Sequence, residues 1–198
     1  PPETAHSISL NSLKVINYFN FKKIDPLVSK NIKIMDLNLP NRLGLAAGMD
    51  KDADYIDCLS KLGFSFLELG TLTPRPQKGN LKPRLYRLRE QKSLINSMGF
   101  NNKGIEHAVE RVKNSNSKAV IGLSIGKNFD TPLEKATDDY LFCLEKAYPV
   151  CDYIAVNISS PNTKDLRKLE GVKYLPELTS SIKKKQEILS KEFGYKPV

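Results

Sequence analysis

From residue 43 onward one rhythm repeats four times: a short apolar run, then a stretch with helical spacing. The runs at 43–47, 64–69, 119–125 and 153–157 are apolar throughout rather than alternating, which marks strands buried on both faces. The stretches that follow are 52–62, a helix starting near Asn102, 138–148 and 175–193, with apolar residues every three or four positions. Helices between successive buried strands imply parallel pairing with the helices as cover, so the class is α/β. A doubly wound open sheet and a closed barrel both satisfy this pattern, and both place ligand chemistry at the C-terminal ends of the strands. Gly63 reads as the C-terminal cap of the first helix. Pro74, Pro76, Gly79 and Pro83 break the stretch after the second strand into a long excursion, and 195–198 reads as the lead into a fifth strand.

Upstream, Ile8, Leu13, Ile16 and Phe19 fall at near-helical spacing behind Thr4 as N-cap, and Asp25-Pro26 opens a second helical turn. Residues 32–39 alternate, with one slip at Met35, and read as a strand ending before Pro40. The division is thus a helical lead-in over 1–31 and the main body over 32–198.

Composition enters as exclusion. No run approaches the roughly 18 apolar residues that a membrane-spanning helix needs. Cys58, Cys143 and Cys151 are too scattered for a disulfide framework or a paired-Cys zinc site, which points to a reducing compartment. The net charge of +9 invites a nucleic-acid partner. Its densest cluster, Lys183-Lys184-Lys185, however, lies in a helix whose buried face is marked by Leu178, Ile182, Ile188 and Leu189, and reads as a solvated face. With no Trp and dispersed Tyr and Phe there is no stacking platform, and no nucleic-acid partner is expected.

Polar residues collect where the strands end: Lys51 after the first, Thr71 after the second with Asn96, Asn101 and Asn102 beyond it, Ser124 and Asn128 at the third, and Asn157, Ser159, Ser160, Asn162 and Thr163 at the fourth. Singly, each could cap a helix or build a turn. Together, with amides and a lysine converging, they describe a polar ligand site. Gly122-Leu123-Ser124-Ile125-Gly126 matches the nucleophile elbow of serine hydrolases, yet both histidines, His6 and His107, precede Ser124, against the order that fold needs. The stretch from Gly122 to Lys127 is one residue short of a phosphate-binding P-loop. His107 reads as a structural helix residue, and no metal site is expected.

Four motifs carry a resemblance: Leu45-Ala46-Ala47-Gly48-Met49-Asp50-Lys51-Asp52, Gly70-Thr71-Leu72-Thr73-Pro74-Arg75-Pro76-Gln77, Ile95-Asn96-Ser97-Met98-Gly99-Phe100-Asn101-Asn102 and Asn157-Ile158-Ser159-Ser160-Pro161-Asn162-Thr163. In this order, and over nearly the whole chain, the sequence closely resembles the membrane-associated, quinone-linked class 2 dihydroorotate dehydrogenases. The resemblance implies a (β/α)8 TIM barrel, of which about the first four βα units are present behind a small N-terminal helical extension. It implies FMN as cofactor and oxidation of (S)-dihydroorotate to orotate in pyrimidine biosynthesis, with a membrane quinone as acceptor. It further implies peripheral attachment through the N-terminal helices to the cytoplasmic face of the inner membrane, or to the mitochondrial inner membrane in a eukaryote.

Carried over by position, Ser160 is implied as the base that takes the C5 proton while the C6 hydride passes to FMN. Thr163 and Phe100 are implied to shape a water relay beside it, because a serine hydroxyl alone is a poor base. Lys51, Asn96, Asn157 and Asn162, with Ser97, Met98, Gly99 and Phe100, are implied to hold the substrate. Ala47, Gly48, Met49, Asp50, Lys51, Thr71, Ser124 and Asn157 are implied to line the flavin, and His6 and Arg87 to flank the quinone head. Serine at 160 indicates class 2, since class 1 enzymes place Cys there. The sequence departs from the family pattern at Ser124, where many members have Asn, and at Lys164-Asp165, where a small pair is usual. The tRNA dihydrouridine synthases, a related FMN barrel, would need a Cys beside the flavin, and no Cys falls at a strand end. Such barrels take about 250 residues and build their phosphate site after strands 7 and 8. The chain is therefore expected to carry the base and most substrate ligands without the phosphate grip.

Overall fold

The computed structural model describes residues 1–19, 31–195 and 197–198; the turn expected at Asp25-Pro26 lies outside the described residues. Helix α1 (Pro2–Tyr18) begins on a proline, whose missing N–H has no partner in a first turn anyway, so Thr4 lies within the helix rather than capping it. Its inward residues are Leu10 and Leu13, and Ile8, Ile16 and Phe19 are exposed. The strand expected at 32–39 is instead a hairpin of β1 (Ile32–Ile34) and β2 (Leu37–Leu39). Met35 and Asp36 take φ of 48° and 65° and turn the chain back on itself, the geometry a tight two-residue hairpin requires.

The chain continues through β3 (Gly44–Leu45), α2 (Ile56–Ser60), β4 (Phe66–Leu72), a second hairpin of β5 (Leu85–Leu88) and β6 (Ser93–Asn96), α3 (Ile105–Lys113), β7 (Val120–Ile125), α4 (Ala136–Ala147), β8 (Tyr153–Val156) and α5 (Leu175–Phe193). Strands β3, β4, β7 and β8 pair in parallel in that spatial order. Spatial order follows chain order with no reversal. A doubly wound sheet reverses at a switch point, so this sheet is the opening arc of a (β/α)8 barrel. Val198 extends it: its N–H donates to the Asp152 carbonyl at 3.1 Å and its carbonyl accepts from Ile154 N at 2.8 Å, on the outer edge of β8 where a fifth strand was expected.

Leu67, Leu69 and Leu72 of β4 and Ile121, Leu123 and Ile125 of β7 are buried with Ala108 and Val112 of α3, Tyr140, Cys143 and Leu144 of α4 and Leu178 and Leu189 of α5. Truncating any of these leucines to Ala costs about 2–5 kcal/mol by lost transfer energy and cavity. On α5, Ile188 is exposed and Gln186 takes the inward place, donating from Nε2 to the Pro197 carbonyl at 2.7 Å. Lys185 pairs with Glu145, so part of the lysine run serves helix packing. Glycines make room for rings on β4 and β8: a Cβ at Gly44 would stand 1.9 Å from the Phe66 ring, and one at Gly122 would stand 2.0 Å from the Tyr153 ring. Gly122 is thus a packing glycine, and Ser124 sits buried within a regular strand rather than on an elbow.

Candidate active site

A cavity of about 570 Å³ lies at the C-terminal ends of the parallel strands, lined by the segments that follow β3, β4 and β8 and flanked at its mouth by α1 and the second hairpin. Of the residues singled out from sequence, Ala47, Gly48, Met49, Asp50, Lys51, Thr71, Asn96, Met98, Gly99, Phe100, Asn157, Ser160, Asn162 and His6 all line it. Ser97, Ser124 and Arg87 do not.

The loop after β3 is organised by Asp50, a buried carboxylate. Its oxygens accept the backbone N–H groups of Tyr55 (2.8 Å), Asp54 (3.0 Å) and Asp52 (3.4 Å). Burial pushes its pKa up, and these donors pull it back. The carboxylate is thus bonded to its own loop, while Asp50 as a residue still lines the cavity. The same turn explains why α2 starts only at Ile56. Backbone bonds from Gly48 N to the Gly70 carbonyl (2.9 Å) and from Gly70 N to the Asp50 carbonyl (3.0 Å) stitch this loop to β4. Lys51 is thereby turned into the cavity, where Nζ donates to the Gly48 carbonyl. Burial lowers its pKa, with Asp52 opposing.

Asn157 begins the loop after β8. Its Nδ2 donates to Thr71 Oγ1 at 2.8 Å, and Thr71 Oγ1 lies 3.0 Å from Ser124 Oγ. Ser124 reaches the site through Thr71, because its hydroxyl is spent on that buried partner. The Asn157 carbonyl accepts from the buried Tyr140 hydroxyl at 2.8 Å, a support the sequence did not reveal. Farther along, Asn162 N donates to Ser160 Oγ at 3.3 Å, and Asn162 Nδ2 donates to Asn96 Oδ1 at 3.3 Å. Thr163 Oγ1 and Asn101 Oδ1 are buried without a protein partner, so two polar atoms beside this loop need a water or ligand. Phe100 holds φ of +52°, an uncommon conformation for an aromatic residue. Asp165 adopts the left-handed conformation, which Asp tolerates, and starts a 3-10 turn that buries Leu166 and Leu169. The unusual Lys164-Asp165 pair is accommodated in this way.

At the mouth, burial and Lys51 lower the His6 pKa, while the Met49 carbonyl opposes. The β5–β6 register pairs Leu85 with Asn96 and Arg87 with Leu94, so Arg87 shares the hairpin face of the cavity-lining Leu85, Leu94 and Asn96. Its side chain is exposed and does not line the cavity, although its pair partner Leu94 does. Glu3, Leu10, Tyr55 and Lys103 also line the cavity; Glu3 and Leu10 are brought in from the distant α1, whereas Tyr55 and Lys103 directly extend the two loops already singled out. His107 lies on α3 and bonds Asp54 Oδ1 at 3.0 Å, a structural role. All three cysteines are buried and none lines the cavity, which leaves the dihydrouridine synthase reading without its acid.

A singly wound parallel sheet with a polar, amide-rich cleft at its strand ends defines a (β/α)8-barrel enzyme scaffold. The family model for dihydroorotate dehydrogenase matches residues 29–197, and the chain belongs to that family. It is 51% identical over 198 residues to the dihydroorotate dehydrogenase (quinone) of Nitrosospira multiformis, covering all of this chain and 57% of that protein. It is 50% identical over 194 residues to the protein of the same name from Acinetobacter baylyi, covering 98% of this chain and 58% of that protein. The chain thus spans a little over half the length of the curated relatives it matches. Among solved structures, DHODH of Eimeria tenella in complex with ferulenol superposes with a TM-score of 0.84 at 34% identity, over 96% of this chain and 52% of that one.

Proposed function

We propose that the full-length protein oxidises (S)-dihydroorotate to orotate and passes the electrons to a quinone. The observation that carries this reading is the convergence of Ser160, Asn157, Asn162, Asn96 and Lys51 on one cavity. Primary amides offer both donor and acceptor to the edge of a pyrimidinedione, and an ammonium suits its carboxylate. Ser160 Oγ takes the proton from C5. The unpartnered Thr163 Oγ1 behind it is suited to a water that carries the proton away.

The family is one of flavoenzymes, and FMN is the proposed cofactor. The residues present fit its ring: Ala47 and Gly48 line the cleft with little or no side chain, and Thr71, Asn157 and Lys51 supply hydrogen-bonding groups around it. When bound, the flavin would accept the hydride that leaves C6 of the substrate. Phosphate-binding loops in such barrels follow later strands.

The quinone is proposed to approach between α1 and the second hairpin, past His6 and with Arg87 farther out. None of the described helices is long and apolar enough to cross a membrane. The exposed Ile8, Val15 and Ile16 of α1, with Lys14 among them, support peripheral attachment to the cytoplasmic face of the inner membrane, or to the mitochondrial inner membrane in a eukaryote. The test is purification of the full-length protein followed by assay of dihydroorotate-dependent quinone reduction. Bound flavin with substrate-dependent turnover is expected. Flavin-free protein without turnover, or an RNA shift in place of turnover, would overturn the reading.

A further inference from the structure

One buried arginine joins the N-terminal helix to the loop that carries Ser160. Arg84, 6% exposed, stands just ahead of β5. Its Nη2 donates to Glu3 Oε1 at 2.6 Å and its Nε to Glu3 Oε2 at 3.4 Å, a fork on the first turn of α1. Its Nη1 donates to the carbonyls of Lys78 (2.6 Å) and Asn80 (3.0 Å). The segment so gripped is tight: a Cβ at Gly79 would stand 2.8 Å from Arg84 Nη1 and 2.3 Å from the Met98 carbonyl. Asn80 then reaches onward, its Nδ2 donating to the Ser97 carbonyl at 3.0 Å and to the Asn162 carbonyl at 3.3 Å. Asn162 N in turn donates to Ser160 Oγ.

Resting on the assignment of Ser160 as base, we propose that Arg84 and Asn80 are positioning residues: Glu3, through Arg84, fixes Asn80 against the 160–162 loop, so the helix at the mouth of the cleft also sets the placement of the base. A weak base depends on placement, and small displacements of reacting groups are costly. Neutralising Glu3 leaves a buried cation without its counter-charge. Lysine at 84 keeps the charge but cannot fork across a carboxylate and two carbonyls.

The experiment uses full-length, FMN-loaded protein carrying Glu3→Gln, Arg84→Lys, Asn80→Ala, or Glu3→Gln with Asn80→Ala. Anaerobic flavin bleaching by dihydroorotate and flavin reoxidation by quinone are timed separately, and amide exchange is followed over 157–163. Each variant should retain flavin, bleach about 10-fold more slowly and exchange faster over 157–163, with the double variant no worse than the worse single one. Wild-type bleaching and exchange with only reoxidation altered would overturn the proposal, since the Glu3–Arg84 pair would then serve the quinone mouth alone. If the unmodified protein is not bleached by dihydroorotate while exchange over 157–163 still responds, the assigned activity fails and the tether to that loop stands.

Discussion

Asn157 Nδ2 donates to Thr71 Oγ1 at 2.8 Å, fastening the loop after β8 to the end of β4 across the intervening β7. Ser124 of β7 joins the same hydroxyl at 3.0 Å, so three strand ends meet at one oxygen. The cleft is therefore held by side chains as well as by the sheet ladder.

Thr71→Val keeps the side chain's shape and removes its hydroxyl, leaving Asn157 Nδ2 and Ser124 Oγ without that partner. The expected cost is about 1–3 kcal/mol in urea unfolding of the full-length protein, with faster flavin loss. Thr71→Ser should restore most of both. A neutral Thr71→Val would show that the hydroxyl does not hold the strand ends together.

Acid should dissolve a second fastening. Asp54 meets Lys103 Nζ at 2.5 Å, His107 Nε2 at 3.0 Å and Arg111 Nε at 3.2 Å, joining the Lys51 loop to α3. Burial pushes its pKa up, but the Lys103 and His107 hydrogen bonds outweigh this and hold the carboxyl below its ordinary range. A lowered carboxyl pKa contributes stability fully above the unfolded value of about 3.9, and that stability is lost as pH falls through the lower folded value. Asp54→Asn should therefore be less stable than wild type at neutral pH, with the gap closing below about pH 4. Urea midpoints measured across this range check it, and a gap independent of pH would contradict it.

The thiols should be inert. Burial pushes the Cys151 pKa up to about 12, Cys143 still further, and Cys58 upward as well. Alkylation of the native protein near neutral pH should be about a hundredfold or more slower than that of the unfolded chain, whose thiols titrate near 8.5. A cysteine modified rapidly in the native protein would contradict this burial.

Strands β4 and β7 were legible because they are buried along most of their length, and α5 covers the very residues its spacing predicts; the two-residue β3 and the partly exposed β8 were legible only from the repeated strand–helix rhythm. The first hairpin was misread as a strand because Met35-Asp36 lacks the Asn-Gly or Asp-Gly signature while adopting the same positive φ. The second hairpin was hidden because both of its strands are largely exposed, without a buried alternating face. Site residues at strand ends were legible from topology and motif together. Asp50's inward turn, the Tyr140 support and the Glu3–Arg84 fork were not, because each depends on the three-dimensional path of the chain, and Glu3 and Arg84 lie 81 residues apart in sequence.

Ser160 is the proposed base for the C5 proton. Anaerobic flavin bleaching by dihydroorotate in full-length Ser160→Ala tests it most directly. Flavin content and orotate binding should match wild type, while the bleaching rate falls by about 100-fold or more, the scale of a lost general base. Bleaching at a near-normal rate in the alanine variant would contradict the account.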